Sequence, residues 1–334
     1  LLKSGKRRKT LRFTALTFLL IAVFLLSLLW GRYPRPGLIG LDDLMIDGLA
    51  QTLLVNIRLP RALMAIMLGA SLASAGMVLQ TVLGNPLVEP GLLGVSQGAA
   101  FGASLGILLS AKAYWHVFVL ASFFGLLGLM LSWLLARRIR YGGSILRLVL
   151  SGVVISALFS SGLGVLKYLA DPRSQLPEIT FWLMGGLSGA SWPLVIRTLP
   201  PVALMLSIIL LVRWRVNLFS LDDRSAFALG SSPNRERIGL VVFSIIAVAA
   251  VTAAAGVISW VGLLIPHVAR KFEGADTSRS LPVSMILGAV FVLLCDDFAR
   301  YLSSGELPLG LLTAFCGALM FGILMTRREN IYSQ

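Results

Sequence analysis

Apolar runs of roughly 20 residues recur along this chain, near residues 13–30, 61–82, 91–110, 114–136, 147–169, 192–212, 238–257, 281–298 and 309–326. An α-helix of about 20 apolar residues matches the ~30 Å hydrocarbon core of a bilayer. Lipid offers no partner to an open backbone N–H or C=O, so repeated spans of this kind must be helices packed on one another. A shorter apolar piece near 258–270 carries Pro266. If it crosses as a short or broken helix, the expected architecture is an all-α membrane protein of about ten transmembrane helices, with both termini on one side. With 57% hydrophobic and only 13% charged residues, a water-soluble fold is excluded.

The basic residues choose the side. A start at residues 1–12 containing Lys3, Lys6, Arg7, Arg8, Lys9 and Arg12 precedes the first run, which reads as a span rather than a cleaved signal because no small-residue cleavage site follows Trp30. With that start in the cytoplasm, most of the 29 Lys and Arg fall in inner segments, after the fourth, sixth and later spans. The expected organisation is a cytoplasmic N-terminus (1–12), a transmembrane domain (13–326) with a cytoplasmic loop at 214–237, and a cytoplasmic tail (327–334). The net charge of +14 is scattered in short clusters between spans, which argues against a nucleic-acid partner. Cys295 and Cys316 lie inside apolar spans and read as packing residues, with neither a disulfide framework nor a metal site.

Glycine occupies every fourth position at Gly94, Gly98, Gly102 and Gly106, forming a bare ridge along the third span. In lipid, where packing drives association, such a ridge admits a neighbouring backbone, with a part in solute passage as the lesser alternative. The acids lie in loops or near span ends, Asp296 and Asp297 coming closest to mid-span, and no G-x-x-x-x-G-K-[ST] phosphate cradle is present. Uptake powered by nucleotide therefore needs another subunit. The loop residues Leu218, Ser220, Leu221, Asp222, Ala226, Leu229 and Gly230 read as a short amphipathic helix capped at Ser220 and stopped at Gly230. It is either a docking element or an interfacial helix resting on lipid.

Several segments together resemble the FecCD/BtuC-like permease family, the membrane subunits of type II binding-protein-dependent ABC importers of iron chelates, haem and cobalamin. They are Arg58-Leu59-Pro60-Arg61, Gly84-Asn85-Pro86-Leu87-Val88-Glu89-Pro90-Gly91, Phe181-Trp182-Leu183-Met184-Gly185-Gly186, Gly262-Leu263-Leu264-Ile265-Pro266-His267 and Glu306-Leu307-Pro308-Leu309-Gly310. The resemblance runs from about residue 50 to 326. It implies a multi-pass subunit of the inner membrane that forms a homodimer with a second permease copy. Two cytoplasmic ABC ATPase subunits holding ATP and Mg would dock on the 218–236 loop, a periplasmic substrate-binding protein would deliver the cargo, and this chain would carry no cofactor or catalytic site of its own.

The same resemblance gives Arg58, Arg61 and Arg300 the task of receiving carboxylates of the binding protein, where the residues alone favour snorkelling at the aqueous edge. It makes Asn85 and Leu87 cytoplasmic gate residues, against the reading of Asn85-Pro86 as a turn. The family's small hydroxyl residues before the fifth span are replaced here by Ile145 and Leu146, with Ser144 displaced, which leaves the second gate unassigned. Ferric siderophore ranks first among cargoes, then haem, cobalamin, and molybdate or tungstate. An ion-coupled secondary transporter, the alternative of another class, would need Asp296, Asp297 or His267 to titrate within the membrane.

Overall fold

The computed structural model describes residues 2–31, 37–39, 48–109, 114–221, 223–302 and 305–326. Helix α1 (Leu2–Leu29) ends in a two-residue antiparallel ladder, β1 (Trp30–Gly31) with β2 (Gly37–Leu38), in which Trp30 faces Leu38. Then come α2 (Gly48–Val82), α3 (Val95–Leu109), α4 (Tyr114–Arg138), α5 (Ser144–Leu169), α6 (Gln175–Met184) and α7 (Trp192–Leu211). The chain closes with α8 (Asp223–Ala228), α9 (Pro233–Ala255), α10 (Val261–Glu273), α11 (Thr277–Leu302) and α12 (Leu309–Thr326). Seven of the described helices are long and apolar enough to cross a membrane; α3 and α12 are shorter apolar helices, and α10 is a half-length companion. The all-α architecture with about ten spans is the one the apolar runs imply.

Helix α2 is the axis, its apolar stretch 89% buried against 11% for α1. It packs along α11, α9, α10 and α7. Small residues set the closest approaches. A Cβ on Gly69 would strike the backbone of Gly288 on α11, and one on Gly76 would strike Gly262 on α10. Backbones in such contact gain dispersion energy that bulky side chains would deny them. The ridge behaves likewise: Gly98 and Gly102 lie against the carbonyls of Phe124 and Leu120 on α4, and Gly106 against Val117. Gly94 plays a different part. It closes the 3-10 turn Pro90–Leu93 with φ +82°, a left-handed conformation natural to glycine.

Prolines mark two places where the helices depart from regular α-helical hydrogen bonding. Helix α2 begins at Gly48 rather than near residue 61, and just before Pro60 it widens into a π-helical turn, Leu54–Arg58. Proline lacks the N–H that would continue the α ladder, so the wider turn is a local solution. In α10, Pro266 leaves the carbonyl of Gly262 without its i+4 donor; Gln80 Nε2 of α2 supplies the hydrogen bond at 3.2 Å. An unmet carbonyl inside lipid costs several kcal/mol, about the scale at which a single polar side chain determines where a helix sits. Helix α6 falls between the apolar runs and was not expected; at its approach Asp171 N donates to Gln175 Oε1 at 3.1 Å.

Candidate functional site

At the end of the bundle where α2 begins, charged side chains from three segments converge. Asp296 of α11 is 1% exposed and receives Arg61 Nε at 2.9 Å and Nη2 at 2.9 Å, a bidentate fork. The remaining nitrogen, Nη1, holds both oxygens of Glu306, at 2.9 and 3.0 Å. Arg300, one helical turn after Asp296, lies 3.4 Å from it and also engages Asp297. Ser27 of α1 donates to Asp297 Oδ1 at 2.7 Å and accepts from Arg300 Nη2 at 3.1 Å. Arg58 Nη1 donates to the carbonyls of Leu28 and Leu29 at 3.0 and 3.3 Å, satisfying the frayed end of α1.

Arg58 and Arg61, expected near the aqueous edge, are 7% and 5% exposed, and the partners described for them belong to their own chain. The π turn and Pro60 rotate both arginines toward α1 and α11, where α11 presents acids that no spacing rule in the Arg-Leu-Pro-Arg segment reveals. Glu306 is the cluster's most open member, with a 41% exposed side chain and a backbone φ of +51°. Beside it lies a cavity of about 700 Å³ bounded by α6, the 185–191 segment, the start of α7 and the end of α9, with Arg61, Glu178, Arg197 and Glu306 on its walls.

At the opposite end, past Val82, the chain turns at Gly84 and Asn85. Asn85 Oδ1 accepts from Leu87 N at 2.9 Å, an Asx turn that pushes Leu87 outward to 56% exposure. The turn is tied down by Gln80, 3% exposed, whose Nε2 reaches Val88 O, Gly262 O and Leu263 O and whose Oε1 accepts from Arg270 at 2.8 Å. Sequence reasoning missed Gln80, although an amide inside an apolar span is itself the signal. Glu89 accepts from Trp260 N at 3.3 Å, joining the same turn to the break before α10.

The loop between α7 and α9 sits at this end as well. A 3-10 turn, Asn217–Ser220, precedes α8, and the helix expected from a cap at Ser220 to a stop at Gly230 is shortened to Asp223–Ala228. Ser220 Oγ donates back to Asn217 O at 2.7 Å instead of capping, while Gly230 takes φ +82° and ends the segment. Asp222 lies outside the described residues. Val216, Phe219 and Ala226 are buried and Leu218 half-buried, whereas Leu221, Phe227 and Leu229 are exposed at 44%, 71% and 64%. Asn217 anchors the loop: its Nδ2 donates to Asp276 Oδ1 at 2.8 Å and its Oδ1 accepts from Thr277 N at 2.7 Å. Burial opposes ionisation of Asp276, but the hydrogen bonds from Asn217 and Ser278 and the charge of Arg279 prevail, so its carboxyl titrates below its ordinary value.

A helical bundle of apolar spans wound on one buried axis helix, with charges locked together at one end and apolar side chains bared at the other, is the architecture of a polytopic membrane protein. The FecCD transport family model matches residues 19–327, and the chain belongs to that family: it is an ABC importer permease of the FecCD type. It is 40% identical over 322 residues to the molybdate import system permease protein MolB of Haemophilus influenzae, covering 94% of this chain and 95% of that one. It is 36% identical to the hemin transport system permease protein HmuU of Yersinia pestis, over 83% of this chain and 84% of that one. A solved inward-facing structure of a metal-chelate type ABC transporter superposes with a TM-score of 0.87 at 38% identity, covering 95% of this chain and 99% of the other.

Proposed function

We propose that this permease sits in the inner membrane with both termini in the cytoplasm and pairs with a second copy of itself. There it passes a metal chelate inward while partner ATPases bind and hydrolyse ATP. The observation that carries this reading is the loop at the Asn85 end, where Phe227 and Leu229 lie bare beside a firmly anchored Asn217. Exposed apolar side chains on a fixed scaffold fit a protein partner, and motion of that partner reaches α11 through Asn217 and Asp276. Asn85 and Leu87 lie on the same end, and we assign them to the inner gate. The basic residues bordering this end, among them Arg137, Arg138, Arg213 and Arg215, support its cytoplasmic placement.

At the other end, a binding protein's carboxylate takes the place of Glu306 on Arg61, because Glu306 is the cluster's solvent-facing acid. Arg58 and Arg300 hold the receiving surface from behind. Ion coupling is the less supported mechanism, since Asp296 and Asp297 each already face an arginine.

For cargo, ferric siderophore or another iron chelate leads, with haem next, on the strength of relatives named for iron chelatin, ferric dicitrate and hemin transport. Molybdate is the second reading, favoured by the 40% identity with MolB. The test is reconstitution with the cognate ATPase and binding protein in vesicles. ATP-dependent uptake of radiolabelled ferric chelate, insensitive to collapse of the proton gradient, is the expected result. Accumulation without ATP would refute the mechanism, and uptake of molybdate alone would transfer the cargo assignment.

A further inference from the structure

On the flank of the bundle at the Asn85 end, α4, α9 and the first turn of α5 enclose a groove of about 640 Å³, within the range of ordinary ligand pockets, about 300–1,000 Å³. Its walls are mostly hydrocarbon, including Leu126, Met130 and Val242, and exposed apolar side chains border it: Leu126, Met130 and Ile238 are 37%, 48% and 42% exposed. Three arginines from three helices border this hydrocarbon slot, Arg137 of α4, Arg147 of α5 and Arg237 of α9, and among the described lining residues there is no Asp or Glu. Arg137 is held over the Trp133 ring at 4.8 Å and Arg237 over Phe219 at 5.4 Å. Arg147 Nη1 donates to Ile139 O at 3.3 Å, while its buried Nε has no hydrogen-bond partner among the described residues. The nearest acid in sequence, Glu236, gives Oε1 to Arg215 at 2.9 Å and to Ser232 N at 3.1 Å.

We propose that this groove binds one anionic phospholipid, its acyl chain between α4 and α9 and its phosphate among Arg137, Arg147 and Arg237. The chemistry selects the occupant. A free phosphate would use the arginines and leave the hydrocarbon walls uncovered, whereas a zwitterionic lipid would fill the walls and neutralise less of the charge. A partner protein's helix would need acids placed at three arginines and an apolar edge entering sideways from the bilayer. A phospholipid already lies at that depth, and guanidiniums pair with phosphate in bidentate fashion. The occupied groove would brace α9 against α4, close to the loop that α9 shares with α8. The site is independent of the transported cargo, and only its assignment to the cytoplasmic leaflet rests on the proposed orientation.

The experiment is native mass spectrometry of the purified full-length chain, alone and assembled with its ATPase partners. Delipidated protein is titrated with phosphatidylglycerol or with phosphatidylcholine of the same acyl chains. We expect one phosphatidylglycerol to bind preferentially. At roughly fivefold per guanidinium, Arg137→Gln should weaken it about fivefold and the combined Arg137→Gln, Arg147→Gln, Arg237→Gln variant about a hundredfold, with phosphatidylcholine unaffected. The exposed Arg137 makes the single variant safe for folding, and Leu126→Trp, which fills the mouth without touching charge, should displace the same lipid. Glycerol phosphate should not compete. Equal binding of the two lipids, competition by glycerol phosphate, insensitivity to Arg137→Gln, or loss of the lipid on ATPase assembly would each overturn the proposal.

Discussion

The two ends of this molecule treat polar and apolar groups in opposite ways. At the Arg61 end, charges are withdrawn from solvent and closed on one another: Asp296 is 1% exposed and held by a fork, and Ser27 links Asp297 to Arg300. At the Asn85 end, apolar side chains such as Leu87, Phe227 and Leu229 stand in the open, while side-chain hydrogen bonds from Gln80 and Asn217 fix the backbone beneath them. A network that satisfies itself carries rigidity but offers few spare bonds, whereas a bared apolar surface on a firm base is incomplete alone. The first end holds α1, α2 and α11 together, with Glu306 as its most open member, and on the proposed reading the second engages another polypeptide.

The largest effect that tests this contrast is Arg61→Ala, which leaves the buried Asp296 with Arg300 at 3.4 Å and without its bidentate partner, and should destabilise the permease by about 3–5 kcal/mol. Thermal unfolding in detergent measures it, and adding Asp296→Ala should restore much of the loss. Stability unchanged by Arg61→Ala would break the assignment of rigidity to that end. Next in size is Phe227→Asp with Leu229→Asp. Association with the ATPase should weaken by about 2 kcal/mol, roughly thirtyfold, with the unfolding temperature unmoved. A fall in stability instead would mean that these side chains pack within the chain.

A smaller effect is expected from Asn217→Ala, about 1 kcal/mol, read as faster amide exchange across residues 213–230 and at Thr277. Acid sharpens the same point. Because the carboxyl of Asp276 is lowered in the folded protein, its contribution is complete above the ordinary carboxylate pKa and disappears as pH falls through the lowered folded value. Proteolytic nicking of the α7–α9 loop should therefore rise only in acid below the usual carboxylate range, and a rise near neutrality would contradict the anchoring role. Least of all, Ser220→Ala should shift stability by no more than about 0.5 kcal/mol, since among the described residues Ser220 Oγ bonds to Asn217 O alone.

Much of the bundle was legible beforehand because bilayer thickness translates directly into run length, and because a proline or glycine acts on the backbone next to it. The spans, the short α10 and the close approach along Gly98, Gly102 and Gly106 follow from such local rules. Helix α6 escaped them because its ten residues are too few for a span signal. The candidate residues fared unevenly for the same reason. Asn85 and Leu87 fall in a turn closed by the backbone N–H of Leu87 on the Asn85 side chain, whereas the surroundings of Arg61 depend on Asp296 and Glu306, more than two hundred residues away.

Sequence alone therefore determined that this chain lives in lipid, that it forms helices, where most of them start and stop, and which segments mark it as a FecCD-type permease, all consequences of neighbours within a turn or two. Tertiary structure decided which charges neutralise one another, that Gln80 completes the carbonyl freed by Pro266, and which apolar side chains are left uncovered. Those outcomes depend on distances between helices remote in sequence, and a buried charge or carbonyl is satisfied by whichever group the packing brings within about 3 Å.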